Sequence, residues 1–225
     1  MKNNKSSIEH KHFVDTAIVE LLKAGLVKEL SNRPHVVNPL TVSIKGKGKE
    51  RLILDLRHVN KQVVLNKIKF ENWTTLKQYV AKGGFEFVFY LKSGFHHIDI
   101  FQEYQTFLGF SWIFNNIERY FVFTVLPFGL KSSAYIFTKL LRPLVAYSRR
   151  QSIKVVLYLD DGFGFAENNE SCYEHAQVVK NEIVRSGLVP NKDKSIWKPS
   201  ETIEWLGFLW DLKLCILRVP EKKVL

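Results

Sequence analysis

Cysteine is scarce in this chain. Its 225 residues include two, Cys172 and Cys215, and neither belongs to a CxxC pair or a Cys/His cluster. A structural zinc site is therefore not expected. Long apolar runs are also missing. Nothing approaches the roughly 20 residues of a membrane-spanning helix. The opening residues, MKNNKSSIEHKH, lack the apolar core of a secretory signal. These absences predict an intracellular protein, cytoplasmic or nuclear, with no membrane partner. No internal repeat or low-complexity tract is visible, which excludes a repeat architecture.

Acidic residues are the minority, 22 against 33 basic ones, for a net charge of +11. A basic surface attracts polyanions, and nucleic acid is the commonest. Apolar residues make up 46% of the chain, enough for a sizeable core. The length fits one medium domain or two small lobes. Phe, Tyr and Trp number 17, 8 and 5, so stacking surfaces are available, although most such rings fill cores.

Residues 1–12 are polar and read as loose. A helix follows, with Val14, Ile18, Leu21 and Leu22 on one face and Gly25 at its end. Ser31-Asn32-Arg33-Pro34 breaks regular structure. Strands at 42–44 and 52–56 flank Lys45-Gly46-Lys47-Gly48-Lys49-Glu50, a turn rich in glycine and positive charge. A strand at 85–91 is followed by a helix or tight bend at 94–97. Strands at 107–114 and 119–125 surround Asn115-Asn116, a turn-type dipeptide. Ser132 or Ser133 then caps a helix with Phe137, Leu140, Leu141 and Leu144 on one face and Pro143 inside. A strand at 154–159 stops at Asp160-Asp161-Gly162, and Asp-Gly before a second apolar run predicts a hairpin. Cys172, Ala176, Val179 and Ile183 recur at helical spacing, which makes Cys172 a core residue. Trp205-Leu206-Gly207 falls in a β-hairpin.

Two adjacent carboxylates, Asp160 and Asp161, thus sit where an apolar strand turns back. Like charges at one point repel, and burying them unpaired is costly. A divalent cation removes the conflict, and oxygen ligands suit magnesium. On its own, an Asp-Asp-Gly turn facing water is the ordinary reading.

The order of the segments changes that balance. Arg51-Leu52-Ile53-Leu54-Asp55-Leu56-Arg57 with Asn60 is followed by Leu91-Lys92-Ser93-Gly94-Phe95-His96-His97-Ile98. Next come Leu126-Pro127-Phe128-Gly129-Leu130 and Tyr158-Leu159-Asp160-Asp161. Gly187-Leu188 with Lys194 and Trp205-Leu206-Gly207 complete the series. In this order, across about 36–210, the chain resembles the reverse transcriptases of retroelements, most closely those of DIRS-type and Ty3-like elements. The resemblance implies an α/β right-hand polymerase fold with an antiparallel palm sheet and flanking helices. Residues 1–65 and 98–132 would form the fingers. Residues 66–97 and 133–225 would form the palm with its primer-grip hairpin.

It also implies roles. Two magnesium ions would support nucleotidyl transfer, one activating the primer hydroxyl and one holding the triphosphate. Asp160 would be a metal ligand, with Asp161 supporting the metal site. Arg51, with Lys45 or Lys47 beside it, would face the deoxynucleotide triphosphate, where a guanidinium fork suits phosphate. Phe95 would lie under the sugar and exclude a 2′-hydroxyl, and Phe128 would pack near nucleotide and template. Lys194 would protonate the leaving pyrophosphate. Trp205, Leu206 and Gly207 would grip the primer of an RNA or DNA template-primer. Taken singly, Phe95, Phe128 and Trp205 read as core aromatics and Lys194 as a surface lysine. His96 and His97 are adjacent, so they point apart and read as structural.

One position departs from the family pattern. An aspartate is expected directly before Leu91-Lys92-Ser93-Gly94-Phe95, and Tyr90 stands there. That aspartate would bridge both metals. A phenol with a pKa near ~10 is neutral at working pH, and the ring takes up the space. A single-base change converts an Asp codon to a Tyr codon. No thumb or RNase H follows, so the resemblance implies a polymerase inactivated by Tyr90 and by truncation. The alternative is a non-catalytic nucleic-acid-binding scaffold with the same fold.

Overall fold

A computed structural model describes residues 1–46 and 48–221, and of Lys45 the backbone alone. In chain order the elements begin with α1 (Lys5–Glu9), α2 (Lys11–Lys23), β1 (Val27–Leu30), β2 (Leu40–Lys45) and β3 (Lys49–Leu54). Then come α3 (Trp73–Leu76), β4 (Phe85–Tyr90), α4 (Gln102–Gln105), β5 (Gly109–Phe114) and β6 (Ile117–Phe123). The chain continues through α5 (Ser133–Arg150), β7 (Lys154–Tyr158), β8 (Asp161–Ala166) and α6 (Asn169–Arg185). It closes with β9 (Ile196–Ser200), β10 (Thr202–Trp205), β11 (Phe208–Asp211) and β12 (Ile216–Arg218). Among the described residues no helix is long and apolar enough to cross a membrane. The chain divides into two compact units, Met1–Asn66 with Phe95–Ala134, and Lys67–Gly94 with the chain from Tyr135 onward.

The first unit holds a three-stranded sheet of order β1-β6-β5 and the β2–β3 hairpin. Val14 and Ile18 of α2 are fully buried against Val27, Leu40, Phe110 and Phe121. The Trp112 indole N–H donates to Asp15 at 2.6 Å, which ties the helix to β5. Asn115 and Asn116 both take positive φ, 50° and 64°, as a tight hairpin turn between β5 and β6 requires. Two features of this unit differ from the sequence reading. Residues 1–12 are ordered, because their polar side chains pair with backbone. Asn3 Nδ2 donates to Ser111 O at 3.0 Å, and the Met1 amino group donates to Val37 O at 3.1 Å. The second is β1, a polar strand recruited by antiparallel pairing with β6 rather than by its own periodicity.

The second unit is built on a four-stranded antiparallel sheet of order β7-β8-β4-β9. Cys172, Ala176, Val179 and Ile183 form the buried stripe of α6, as their spacing predicts. The helix is started by Asn168, whose side chain accepts from Ser171 N. A separate cluster joins Val88, Val156, Phe163 and Phe165 to Ile203, Trp205 and Trp210 of the small β10-β11-β12 sheet. Helix α5 runs on through Pro143. It buries Phe137 and Leu141, whereas Leu140 is 52% exposed, so the apolar face is narrower than the leucine count suggests. The Ser133 hydroxyl donates to Pro127 O at 3.0 Å rather than capping the helix. The outer edge of β7 is closed by side chains. Glu71 accepts from Leu157 N, Arg149 donates to Val155 O, and the two are ion-paired at 2.7 Å. Capped in this way, the edge offers no template for another strand.

Glu86 is the costly residue of this unit. It lies on β4 with no exposure, and neither carboxyl oxygen meets a full hydrogen bond among the described residues. Burial first, and then Asp211, push its pKa from 4.5 to about 9, with the Ile203 backbone opposing. An acid raised in this way is protonated when folded. Its contribution to stability is intact below pH 4.5 and is lost as the pH rises to about 9. The slope approaches about 1.4 kcal/mol per pH unit at most. Glu86→Gln is expected to raise the melting temperature at pH 8 and to change little at pH 4.5. Thermal melts across that range check it, and an equal shift at both pH values contradicts the assignment.

Candidate functional site

Tyr90 closes β4 opposite Asp161 of β8, and Asp161 stands in turn opposite Tyr158 of β7. Directly opposed residues of an antiparallel ladder project to the same face. Tyr90, Tyr158 and Asp161 therefore share one side of the sheet. Along the other edge of β4, the segment before β9 replaces regular pairing. Asn191 N donates to Tyr90 O at 2.7 Å, and Tyr90 N donates to Ser195 Oγ at 3.1 Å. Asn191 Oδ1 accepts from the backbone of Asp193 and Lys194 at 3.1 and 3.2 Å. This side-chain turn carries Lys194 over β4, with Nζ 5.9 Å from the Tyr90 ring centre, within cation–π range.

The β7–β8 hairpin turns at Leu159-Asp160, two positions before the Asp-Gly pair that signalled it. Leu159 takes φ 52°, an uncommon value for a branched side chain. Gly162 is used elsewhere. A Cβ there would lie 2.1 Å from the Phe89 ring, so glycine is needed inside the strand rather than in the turn. Leu91 N donates to Asp160 O at 2.8 Å and ties the turn to the end of β4.

The charges at this point are partly withdrawn from water. Burial first, and then Asp160, push Asp161 up to about 6, with Lys194 opposing. Burial also raises the Tyr90 phenol above its ordinary value, with Asp161 and then Glu204 adding to it. The phenol is neutral at physiological pH. Among the described residues no three His, Cys, Asp or Glu side chains are grouped to hold a metal ion. Asp160 and Asp161 would supply part of the anionic oxygen that two magnesium ions take, beside substrate phosphate, and Tyr90 supplies none.

Trp205 has no exposure and packs edge-on to Phe163 at 5.5 Å. The β10–β11 hairpin turns at Leu206 and Gly207, with φ 47° and 84°.

The remaining candidates lie in the first unit. Phe95 and Phe128 pack at 5.1 Å, and His96 meets Phe128 edge-on at 5.3 Å. His96 is held below its ordinary pKa, by burial and then by His97, which suits packing. Phe128 is 58% exposed. Its loop is pinned by Asn60, which donates to Gly129 O and accepts from Lys131 N, both at 2.8 Å. Arg51 is exposed on β3, opposite Ser43. Lys45 ends β2, while its side chain and the whole of Lys47 lie outside the described residues. The sequence reading missed Asn191 and Ser195. Asn after Pro190 was the available signal, since Asx turns favour it.

Residues 42–209 match the family model described as reverse transcriptase (RNA-dependent DNA polymerase). The chain belongs to that family. It is 26% identical over 203 residues to the retrovirus-related Pol polyprotein from transposon gypsy of Drosophila melanogaster, covering 88% of this chain and 19% of that protein. It is 27% identical over 196 residues to the Pro-Pol polyprotein of simian foamy virus type 3, covering 87% and 16%. The chain thus spans less than a fifth of the length of these relatives. The fold is shared with the foamy viral protease-reverse transcriptase in complex with dsDNA. There the TM-score is 0.81 at 21% identity, over 99% of this chain and 44% of that one. The same protein in complex with RNA/DNA hybrid gives a TM-score of 0.80 at 20% identity, over 99% and 28%. The chain is a reverse transcriptase domain of retroelement type with a mixed α/β fold and antiparallel sheets.

Proposed function

We propose that this chain is the fingers-and-palm part of a retroelement reverse transcriptase that binds template-primer but does not extend it. The unit of Met1–Asn66 and Phe95–Ala134 acts as fingers and the other as palm. The observation that carries the reading is Tyr90 opposite Asp161, where the family pattern calls for an aspartate. The family normally uses divalent metal ions. Here the carboxylate set is incomplete, the phenol is neutral, and an ammonium lies against its ring.

The other roles follow the resemblance. Arg51, with Lys45 or Lys47, faces the triphosphate of a deoxynucleotide. Phe95 lies under the sugar, with Phe128 packed on it at 5.1 Å. Lys194 is placed as a proton donor, and the tip at Leu206-Gly207 contacts the primer, backed by buried Trp205. The nucleic-acid partner is supported by the +11 charge and by the complexes in which the foamy viral protein is found.

Removing one electrostatic catalytic element commonly costs about 10²–10³ in rate, and a shared metal ligand costs more. With a thumb domain fused to both, Tyr90→Asp is expected to extend a primer in magnesium or manganese at least about 10²-fold faster than the native chain. Equal rates contradict the reading of this position. The native chain is expected to bind a primer-template with an affinity that falls steeply between about 50 and 200 mM salt. Fluorescence anisotropy measures this, and a flat salt dependence contradicts an electrostatic surface.

A further inference from the structure

A groove of about 690 Å³ lies within the second unit, between α5, the edge strand β7 and the segment leading into α3. Its size falls in the range of about 300–1,000 Å³ typical of small-molecule sites. Phe70, Leu141, Val145, Leu157 and Leu159 line its apolar part. Lys69, Arg142 and Arg150 also line it, and none of the three is ion-paired among the described residues. The single acid in the wall, Glu71, is already neutralised by Arg149 and hydrogen-bonded to Leu157 N. The groove therefore carries uncompensated positive charge beside an apolar surface.

Thr138 lines the same groove, and its buried hydroxyl has no hydrogen-bond partner among the described residues. Guanidinium groups bind phosphate as a planar fork. Phe70 offers a ring for stacking, already in contact with Tyr158 at 5.8 Å. The ligand that meets both demands has a phosphate and a flat apolar body.

We propose that this groove binds a nucleoside monophosphate unit, with phosphate on Arg142, Arg150 and Lys69 and the base against Phe70 and Leu141. Arg51 and Phe95 are not among its lining residues, and the proposal does not depend on polymerisation. The unit can come from a free mononucleotide or from the phosphorylated end of a strand.

The test uses the full chain and a fluorescent N-methylanthraniloyl-AMP probe, followed by anisotropy. The probe is expected to bind, with dAMP competing and adenosine failing to compete. Arg142→Ala with Arg150→Ala is expected to weaken binding at least tenfold while thermal melts stay unchanged. Leu141→Trp, which fills the groove, should weaken binding if the double variant proves poorly folded. Arg51→Ala should leave binding unchanged. Competition by a 5′-phosphorylated dinucleotide assigns the source to a strand end, and its failure assigns it to the free mononucleotide. No probe binding, equal competition by adenosine, or loss only in Arg51→Ala overturns the proposal. The last of these would place the probe at the proposed polymerase nucleotide site and leave that reading standing.

Discussion

The antiparallel register of β4 against β8 is the constraint on which the site depends. Gly162 and Gly164 alternate with Phe163 and Phe165 along β8, and the glycines leave room for the rings of Phe89 and Phe87. A Cβ at Gly164 would lie 2.1 Å from the Phe87 ring. Trp197 stacks on both rings, at 5.5 Å from Phe89 and 6.1 Å from Phe87. A slip by one residue would bring bulky side chains under those rings and turn the apolar set of β8 to the other face. The same register sets Tyr90 against Asp161, so packing on one face of the sheet decides the chemistry of the other.

That chemistry is governed by desolvation. Asp161 and Glu86 are both raised chiefly by burial, and both lie in the four-stranded sheet of the second unit. Glu86 resolves the conflict by staying protonated. Asp161 has Lys194 near it, held by the Asn191 turn. A sheet that raises its own carboxylates holds negative charge poorly without further anionic oxygen to recruit a metal ion. Tyr90 supplies a ring and a neutral hydroxyl instead.

Much of this was legible in the sequence. The stripe of α6, the β2–β3 and β5–β6 hairpins and the Leu206-Gly207 turn follow from periodicity and turn chemistry, which act over a few residues. The ordered series of family segments set Tyr90 and Asp160 on neighbouring palm strands, and the register puts Tyr90 opposite Asp161. What was not legible depended on long-range pairing. The polar strand β1 exists because β6 supplies its partner, and Asn3 and Asn4 order the N-terminal residues only once β2 and β5 are in place. Leu140 reads as core by type but faces outward, because α5 packs through Phe137 and Leu141. The Asp-Gly pair signalled the right hairpin at the wrong residues, since Gly162 answers to Phe89 rather than to the turn. Trp205 is fully buried, so the hairpin turn beyond it is formed by Leu206 and Gly207.

In the proposed reading, Tyr90 leaves the site short of the anionic oxygen that gathers divalent metal. Manganese titration followed by electron paramagnetic resonance, with primer-template bound, tests it without requiring turnover. The native chain should show no saturable site beyond that of the nucleic acid, and Tyr90→Asp should gain one. Saturable manganese binding by the native chain as tight as that of Tyr90→Asp would contradict the account.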